Sequence, residues 1–273
     1  MYKMIVCDLD ETLLKDDGEL SEKNIGAIKT AVEKGVYFVP NSGRSYLSFE
    51  NVLKETNLSG LPDQYSISYN GGLILENEDN RTIQVNSMDY EIAKTIFEIG
   101  ISDANADVHV YLQDDLFIYG LKDDDANYLT SRGVEFNQMD SNDFSIFKNK
   151  NIMKIIMDLP TMELRKEMQQ KVESKVNASA LATTFSSDRY VEFNPAGVDK
   201  GSAAIQLGEK LNIKSDEIIA VGDNGNDLSM LKVVGLPISV ANGLDSVKQA
   251  AKYITKSDNN HDALAEIINK FIL

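Results

Sequence analysis

The chain is poor in several side chains on which enzymes and binding proteins commonly rely. Cys7 is its only cysteine, so no disulfide can form within it, and a reducing, cytoplasmic setting is expected. With only two histidines, His109 and His261, a Ser-His-Asp or Cys-His mechanism and a multi-histidine zinc centre are poorly supported. Acid–base work would then fall to carboxylates or lysine. Positive charge is also scarce: 27 Lys and Arg stand against 43 Asp and Glu, for a formal net charge of −16. That balance argues against nucleic-acid binding, which needs a Lys/Arg footprint, and against an anionic membrane surface. An anionic substrate would need a local positive site that overcomes the global field. No stretch is long and apolar enough to span a bilayer, and the apolar residues 4–7 are too few for a secretory signal. Nothing in the sequence specifies an oligomeric state.

The hydrophobic content, 42%, is ordinary for a folded protein and supports a sizeable core. Residues 3–7 read as a buried strand. Ser21 reads as a helix N-cap followed by Ile25, Ile28 and Val32 at helical spacing, with Gly35 as the stop. A short apolar run at 36–39, a helix over 45–55 and a strand at 65–68 follow. This alternation predicts a parallel sheet with right-handed crossovers. The C-terminal part repeats it: helix 201–211, strand 217–221, short helix 227–232, strand 236–240 and helix 262–271. The middle differs. A hairpin over 107–112 and 116–120, a strand at 153–159, a helix carrying Leu164, Met168 and Val172, and strands at 181–186 and 189–193 form an α+β pattern. The expected organisation is a core of residues 1–84 and 189–273 interrupted by an inserted α+β domain, residues 85–188.

Two acidic motifs end apolar strands. CDLDETLL places Asp8 and Asp10 two residues apart after the first strand, and AVGDNGND places Asp223 and Asp227 after another. Either could be a polar turn taken alone. If both strands are central and parallel, the carboxylates converge at the sheet edge where ligands bind in open α/β folds. At about 4 Å and an effective dielectric of about 20, each pair would repel by roughly 4 kcal/mol, so the cluster needs a cation. Oxygen-only donors favour a hard ion, and Mg²⁺ bridging to a phosphate fits best. Two further features suit a phosphate. Asn41-Ser42-Gly43-Arg44 lies between a strand and a helix, where a hydroxyl and backbone N–H groups can hold anionic oxygens, although a simple N-cap reads equally well. Lys200 opens a helix, where its charge opposes the helix dipole, and an anionic partner would resolve that conflict.

These four motifs, in this order and over nearly the whole length, resemble the haloacid dehalogenase (HAD) superfamily in its Cof-type sugar-phosphatase branch. Asp8-Leu9-Asp10-Glu11-Thr12-Leu13 resembles the first motif, Asn41-Ser42-Gly43-Arg44 the second, Lys200-Gly201 the third and Gly222-Asp223-Asn224-Gly225-Asn226-Asp227 the fourth. Asn70-Gly71-Gly72 resembles a substrate-loop element of the branch; read from the residues alone it is a hairpin turn. The resemblance implies an α/β fold: a Rossmann-like parallel-sheet core with a large inserted α+β cap that covers the active site, hinged near residues 83–88 and 186–190. It implies a phosphomonoester hydrolase acting on a small phosphorylated metabolite, with a sugar phosphate as the leading class. Asp8 would be the nucleophile and Asp10 the general acid, then base. Mg²⁺ would be held by the Asp8 carboxylate, the Asp10 backbone carbonyl and Asp223, supported by Asn226 and Asp227. Ser42 and Lys200 would bind the transferring phosphoryl, with Gly43, Arg44, Asn70 and Gly71 around the substrate. The alternatives are a phosphomutase on the same fold and a non-enzymatic phospho-acceptor or metabolite-binding module. Departures from the usual pattern at Asn41-Ser42, at residues 240–243 and at residues 259–263 touch loops beside the site.

Other conspicuous residues read as structural. Cys7 is expected in the core. His109 alternates with Val108 and Val110 and is expected to face solvent or the cleft. Asp123-Asp124-Asp125 is expected to be a solvated helix start. Tyr111, Tyr119 and Tyr128 read as packing residues.

Overall fold

Met4–Cys7 (β1) is four apolar residues, all buried, and every later element of the core is organised around it. The computed structural model describes residues Met1–Leu273. After β1 come α1 (Glu22–Glu33), β2 (Tyr37–Pro40), a 3₁₀ turn at Tyr46–Phe49 leading into α2 (Glu50–Glu55), and then β3 (Tyr65–Ser68), β4 (Leu73–Glu76) and β5 (Arg81–Val85). The Ser21 hydroxyl accepts the Asn24 N–H and caps α1 as expected. The inserted segment carries α3 (Tyr90–Ile101), β6 (Asp107–Leu112), β7 (Leu116–Tyr119), α4 (Asp123–Ser131), β8 (Asn137–Gln138), β9 (Ile152–Asp158), α5 (Met162–Glu173), β10 (Leu181–Ser186) and β11 (Tyr190–Pro195). The chain then resumes the alternation with α6 (Lys200–Lys210), β12 (Ile218–Gly222), α7 (Leu228–Val233), β13 (Leu236–Ser239), α8 (Asp245–Ala250), β14 (Tyr253–Ile254) and α9 (Ala263–Phe271).

Two units result, one of Met1–Gln84 with Asp199–Leu273, the other of Val85–Val198. The return to the first unit falls at Asp199 rather than at residue 189. The physical reason is strand pairing: β11 bonds antiparallel to both β10 and β9 and therefore belongs to the inserted sheet.

The first unit is a five-stranded parallel sheet in the order β14-β13-β12-β1-β2. Side chains alternate across it with the period of two that a strand imposes. Ile5, Cys7, Phe38, Ile219 and Val221 face one apolar layer with residues of α1 and α9. Met4, Val6, Val39, Ile218 and Ala220 face the other with residues of α6 and α7. A sheet buried on both faces explains why its strands read as unbroken apolar runs. It also explains why polar residues collect just beyond the strand ends. No helix is long and apolar enough to cross a membrane.

The inserted unit is a six-stranded sheet in the order β10-β11-β9-β6-β7-β8. Val108, Val110, Ile155, Met157, Val191 and Phe193 pack against Ile96 and Phe97 of α3 and Met168 and Val172 of α5. His109 points to the opposite face, as alternation requires, but it is fully buried rather than exposed. Leu129 of α4 packs on Leu116 and Ile118 of β7, which covers that part of the face. Asp125, expected in solvent, is buried for the same reason. Its carboxylate lies 2.7 Å from His109 Nε2 and accepts the Tyr190 hydroxyl at 2.6 Å. Burial pushes the Asp125 carboxyl up, but the His109 and Tyr190 contacts outweigh it and hold it below its ordinary value.

Tyr190→Phe should therefore remove a hydrogen bond to a buried charge and lower the stability of the inserted unit by roughly 1.5–3 kcal/mol. The check is the denaturant midpoint of the transition that includes this unit; an unchanged midpoint would contradict the account.

Candidate active site

The register of the parallel sheet decides which side chains meet. Cys7 pairs with Val221 on one side and Pro40 on the other, so β1 and β2 end level with each other and β12 runs one residue further. The next residues, Asp8, Asp223 and the Asn41–Ser42 pair, therefore emerge along one edge. The Asp8 N–H donates to the Val221 carbonyl at 3.0 Å and Asn41 N–H to that of Cys7 at 2.8 Å, extending the ladder one step past the strands.

Beyond Asp8 the chain turns. Leu9, Leu13 and Leu14 are buried, and the Leu9 carbonyl accepts the N–H groups of Thr12, Leu13 and Leu14. This apolar anchor sends Asp8 inward and Asp10 outward. The Thr12 hydroxyl donates to Asp223 at 2.6 Å and ties this turn to the one after β12.

Lys200, the first residue of α6, is fully buried. Its Nζ lies 2.5 Å from Asp8 Oδ1 and 2.7 Å from Asp227 Oδ1. The conflict between a lysine and the positive end of a helix dipole is resolved by these two carboxylates. The helix N–H groups of Gly201 and Ser202 are capped separately by Asp199. The other oxygen of Asp227 accepts the N–H groups of Asp223 and Asn224 at 2.9 and 3.0 Å. Gly222 makes room for this arrangement: a Cβ there would meet the Asp227 carboxylate at 2.5 Å.

Asp8, Asp223 and Asp227 have carboxylate oxygens within 4.8 Å of one another, and all three residues are buried. One ammonium faces three carboxylates. Burial, with repulsion from Asp227 and Asp223, pushes the Asp8 carboxyl up to about 8 despite Lys200. Burial, with Asp227 and Glu11, pushes Asp223 up to about 6 against the Thr12 hydrogen bond. Burial works against the Lys200 ammonium, but Asp8 and Asp227 raise it well above its ordinary value. The site thus carries uncompensated negative charge, and Asp8 and Asp223 each keep an oxygen that Lys200 and Thr12 do not use. An oxygen-only donor set with surplus negative charge fits a hard divalent cation.

The remaining sequence-predicted residues form a rim. Ser42 is buried, and its hydroxyl accepts the Arg44 N–H at 3.1 Å. Asn41, whose function the sequence did not indicate, is buried and donates its amide to the Lys200 carbonyl at 3.0 Å. The signal for it was its place one residue past β2, level with Asp8. Asn70 donates its N–H to the Ser42 carbonyl at 2.9 Å and accepts the Asn226 amide at 3.3 Å. Its side chain also lies against Gly43. Gly71 has φ +100° and is pressed against the Asp199 carbonyl, so only glycine fits. Asn70 and Gly71 thus link the second loop to the fourth motif and to the start of α6. Asp10 stands apart from the buried carboxylates and pairs with the Arg44 guanidinium, with Nε 2.9 Å from Oδ2 and a second contact from Nη2 to Oδ1.

Known proteins resemble this chain along nearly its whole length. The family model for haloacid dehalogenase-like hydrolases matches residues 5–268. The 5-amino-6-(5-phospho-D-ribitylamino)uracil phosphatase YwtE of Bacillus subtilis is 30% identical over 292 aligned positions, covering 99% of this chain and 98% of that protein. The HMP-PP phosphatase of Yersinia pseudotuberculosis is 26% identical, covering 91% of this chain and 87% of that one. The crystal structure of TM0651 from Thermotoga maritima superposes with a TM-score of 0.88 at 28% identity, covering 100% of this chain and 98% of that one.

The electrostatics give a pH prediction for the metal-free protein. The folded Asp8 value near 8 lies above the unfolded value of about 3.9. Asp8 therefore favours the folded state most below about pH 4, and that contribution is lost as pH rises toward 8, at up to about 1.4 kcal/mol per pH unit. Asp8→Asn cannot ionise, so it should raise the thermal midpoint of EDTA-treated protein at pH 8 far more than at pH 5. An equal shift at both pH values would contradict the assignment.

Proposed function

This chain belongs to the haloacid dehalogenase-like hydrolase family and is an enzyme of the phosphatase kind, and from that premise we propose that it hydrolyses the phosphomonoester of a small metabolite, a sugar or polyol phosphate, through a phosphorylated Asp8. One observation carries this reading: a buried carboxylate at a strand end, Asp8, bonded to a fully buried lysine and set among two further carboxylates. A merely structural site would not retain three buried acids around one ammonium, because uncompensated buried charge is strongly destabilising.

Mg²⁺ is the cation we assign: the Asp8 carboxylate, the Asp10 main-chain carbonyl and Asp223 would hold it, with Asn226 and Asp227 in support, and bound there it would supply positive charge to the phosphoryl oxygens. The chain's own residues do the rest. An Asp8 oxygen attacks phosphorus as the bond to the leaving oxygen breaks, and Asp10 gives that oxygen its proton. Water then attacks the same phosphorus, Asp10 takes a proton from it, and the Asp8–phosphorus bond breaks to release phosphate. Lys200 holds Asp8 in place and offsets part of the repulsion between its carboxylate and the incoming anion. The Ser42 hydroxyl and the Gly43 N–H would face the transferring phosphoryl, whose charge is best stabilised by donors already in place. The related YwtE is named for a phosphorylated ribityl compound, which supports a polyol phosphate as the substrate class.

Phosphate release from a panel of sugar and polyol phosphates should require Mg²⁺, stop on addition of EDTA and return when Mg²⁺ is restored. Asp8→Asn should lower kcat by more than about a thousandfold. Activity that survives either treatment would overturn the proposal.

A further inference from the structure

We infer that Arg44 is the positioning residue for the acid–base group Asp10, and not a ligand of the transferring phosphoryl. The inference rests on the phosphatase reading of the Asp8 site.

Asp10 has a disadvantage that Asp8 lacks. The strand that fixes side-chain direction ends at Cys7, and Glu11, with φ 55°, reverses the chain immediately after Asp10. Asp8 is gripped by Lys200, whereas Asp10 sits on the exposed side of the turn, with its side chain 50% accessible. A carboxylate in that position would sample several rotamers in water, and an acid–base group is effective only within hydrogen-bond reach of the oxygen it serves. Arg44 supplies what the turn does not. Its guanidinium meets both Asp10 oxygens in the two-pronged geometry that fixes a carboxylate in orientation as well as in distance.

Arg44 can do this because its own backbone is held. Its carbonyl accepts the Ser68 hydroxyl at 2.6 Å and the Tyr69 N–H at 3.1 Å, and its N–H donates to the Ser42 hydroxyl at 3.1 Å. The guanidinium is thus anchored to the rigid end of β3 and to the second loop. Two of its nitrogens are committed to Asp10, and the buried positive charge beside Asp8 already comes from Lys200. When substrate binds one prong opens, and the freed Asp10 oxygen, half exposed to solvent, takes up a proton from water; it passes that proton to the leaving oxygen and regains one from the attacking water, while the other prong keeps the carboxyl group in place. The pair is exposed, at 37% for Arg44 and 50% for Asp10, so it contributes little to folding and its removal leaves the fold intact.

The test uses two substrates of opposite demand. An alkyl phosphate such as a hexose 6-phosphate needs its leaving oxygen protonated; p-nitrophenyl phosphate does not. Wild type, Arg44→Gln, Arg44→Lys, Asp10→Asn and the Asp10→Asn/Arg44→Gln double variant are compared by kcat/KM on both. We expect Arg44→Gln to lose about tenfold or more on the alkyl phosphate and less than about threefold on p-nitrophenyl phosphate. Arg44→Lys, which keeps the charge but not the fork, should behave like Arg44→Gln. In the Asp10→Asn background, Arg44→Gln should have no further effect. A rise in KM that is equal for both substrates, rescued by lysine and multiplicative with Asp10→Asn, would overturn the inference and make Arg44 a phosphate ligand while leaving the phosphatase reading intact. A wild type inactive on both substrates would remove that reading and the inference with it.

Discussion

A lysine ammonium buried between two carboxylates is the constraint on which the rest of this structure depends. Lys200 can be buried only because Asp8 and Asp227 meet it, and Lys200 draws the Asp8 carboxyl toward its charged form against the effect of burial. The three come from distant parts of the chain: the end of β1, the turn after β12 and the start of α6. Removing Lys200 would leave the buried carboxylates without their ammonium, a loss of about 3–5 kcal/mol when a single partner is deleted. Forming this arrangement therefore requires the parallel sheet to be in register and α6 to lie across it. A third carboxylate, Asp223, joins the cluster without an ammonium of its own and leaves the surplus negative charge that a divalent cation would neutralise.

The site is held as firmly from outside as from within. Asn41 ties the loop after β2 to the Lys200 carbonyl, and Thr12 ties the turn after β1 to Asp223. Asn70 and Gly71 wedge between the second loop, Asn226 and the residue that caps α6. Reactive and supporting groups thus sit on strand ends and on loops tied down by backbone hydrogen bonds at Asn41, Ser42 and Asn70. Such preorganisation is what lets electrostatic stabilisation act without reorganisation during phosphoryl transfer.

Much of this was legible in the sequence, for reasons that particular residues make plain. Strands such as Met4–Cys7 and Ile218–Gly222 are buried on both faces, so they read as short apolar runs, and the carboxylates just beyond them stand out. Lys200 was conspicuous because it contradicts the dipole of its own helix. What depended on tertiary packing was not legible. The burial of His109 and Asp125 follows from α4 folding over one face of the inserted sheet, which neither strand periodicity nor a run of aspartates announces. The return to the first unit at Asp199 depends on which sheet β11 pairs with. The partner of Asp10 could not be read, because the period of two that would have directed it stops at Cys7.

The central claim is that Asp8 accepts the phosphoryl group. The most direct measurement is rapid acid quenching of the wild-type enzyme during turnover with Mg²⁺ and a sugar phosphate, followed by peptide mass mapping of the N-terminal segment. The account predicts a phosphoryl adduct on Asp8 that forms and decays fast enough to lie on the path to free phosphate. Turnover with no adduct, or with the adduct on another residue, would contradict it.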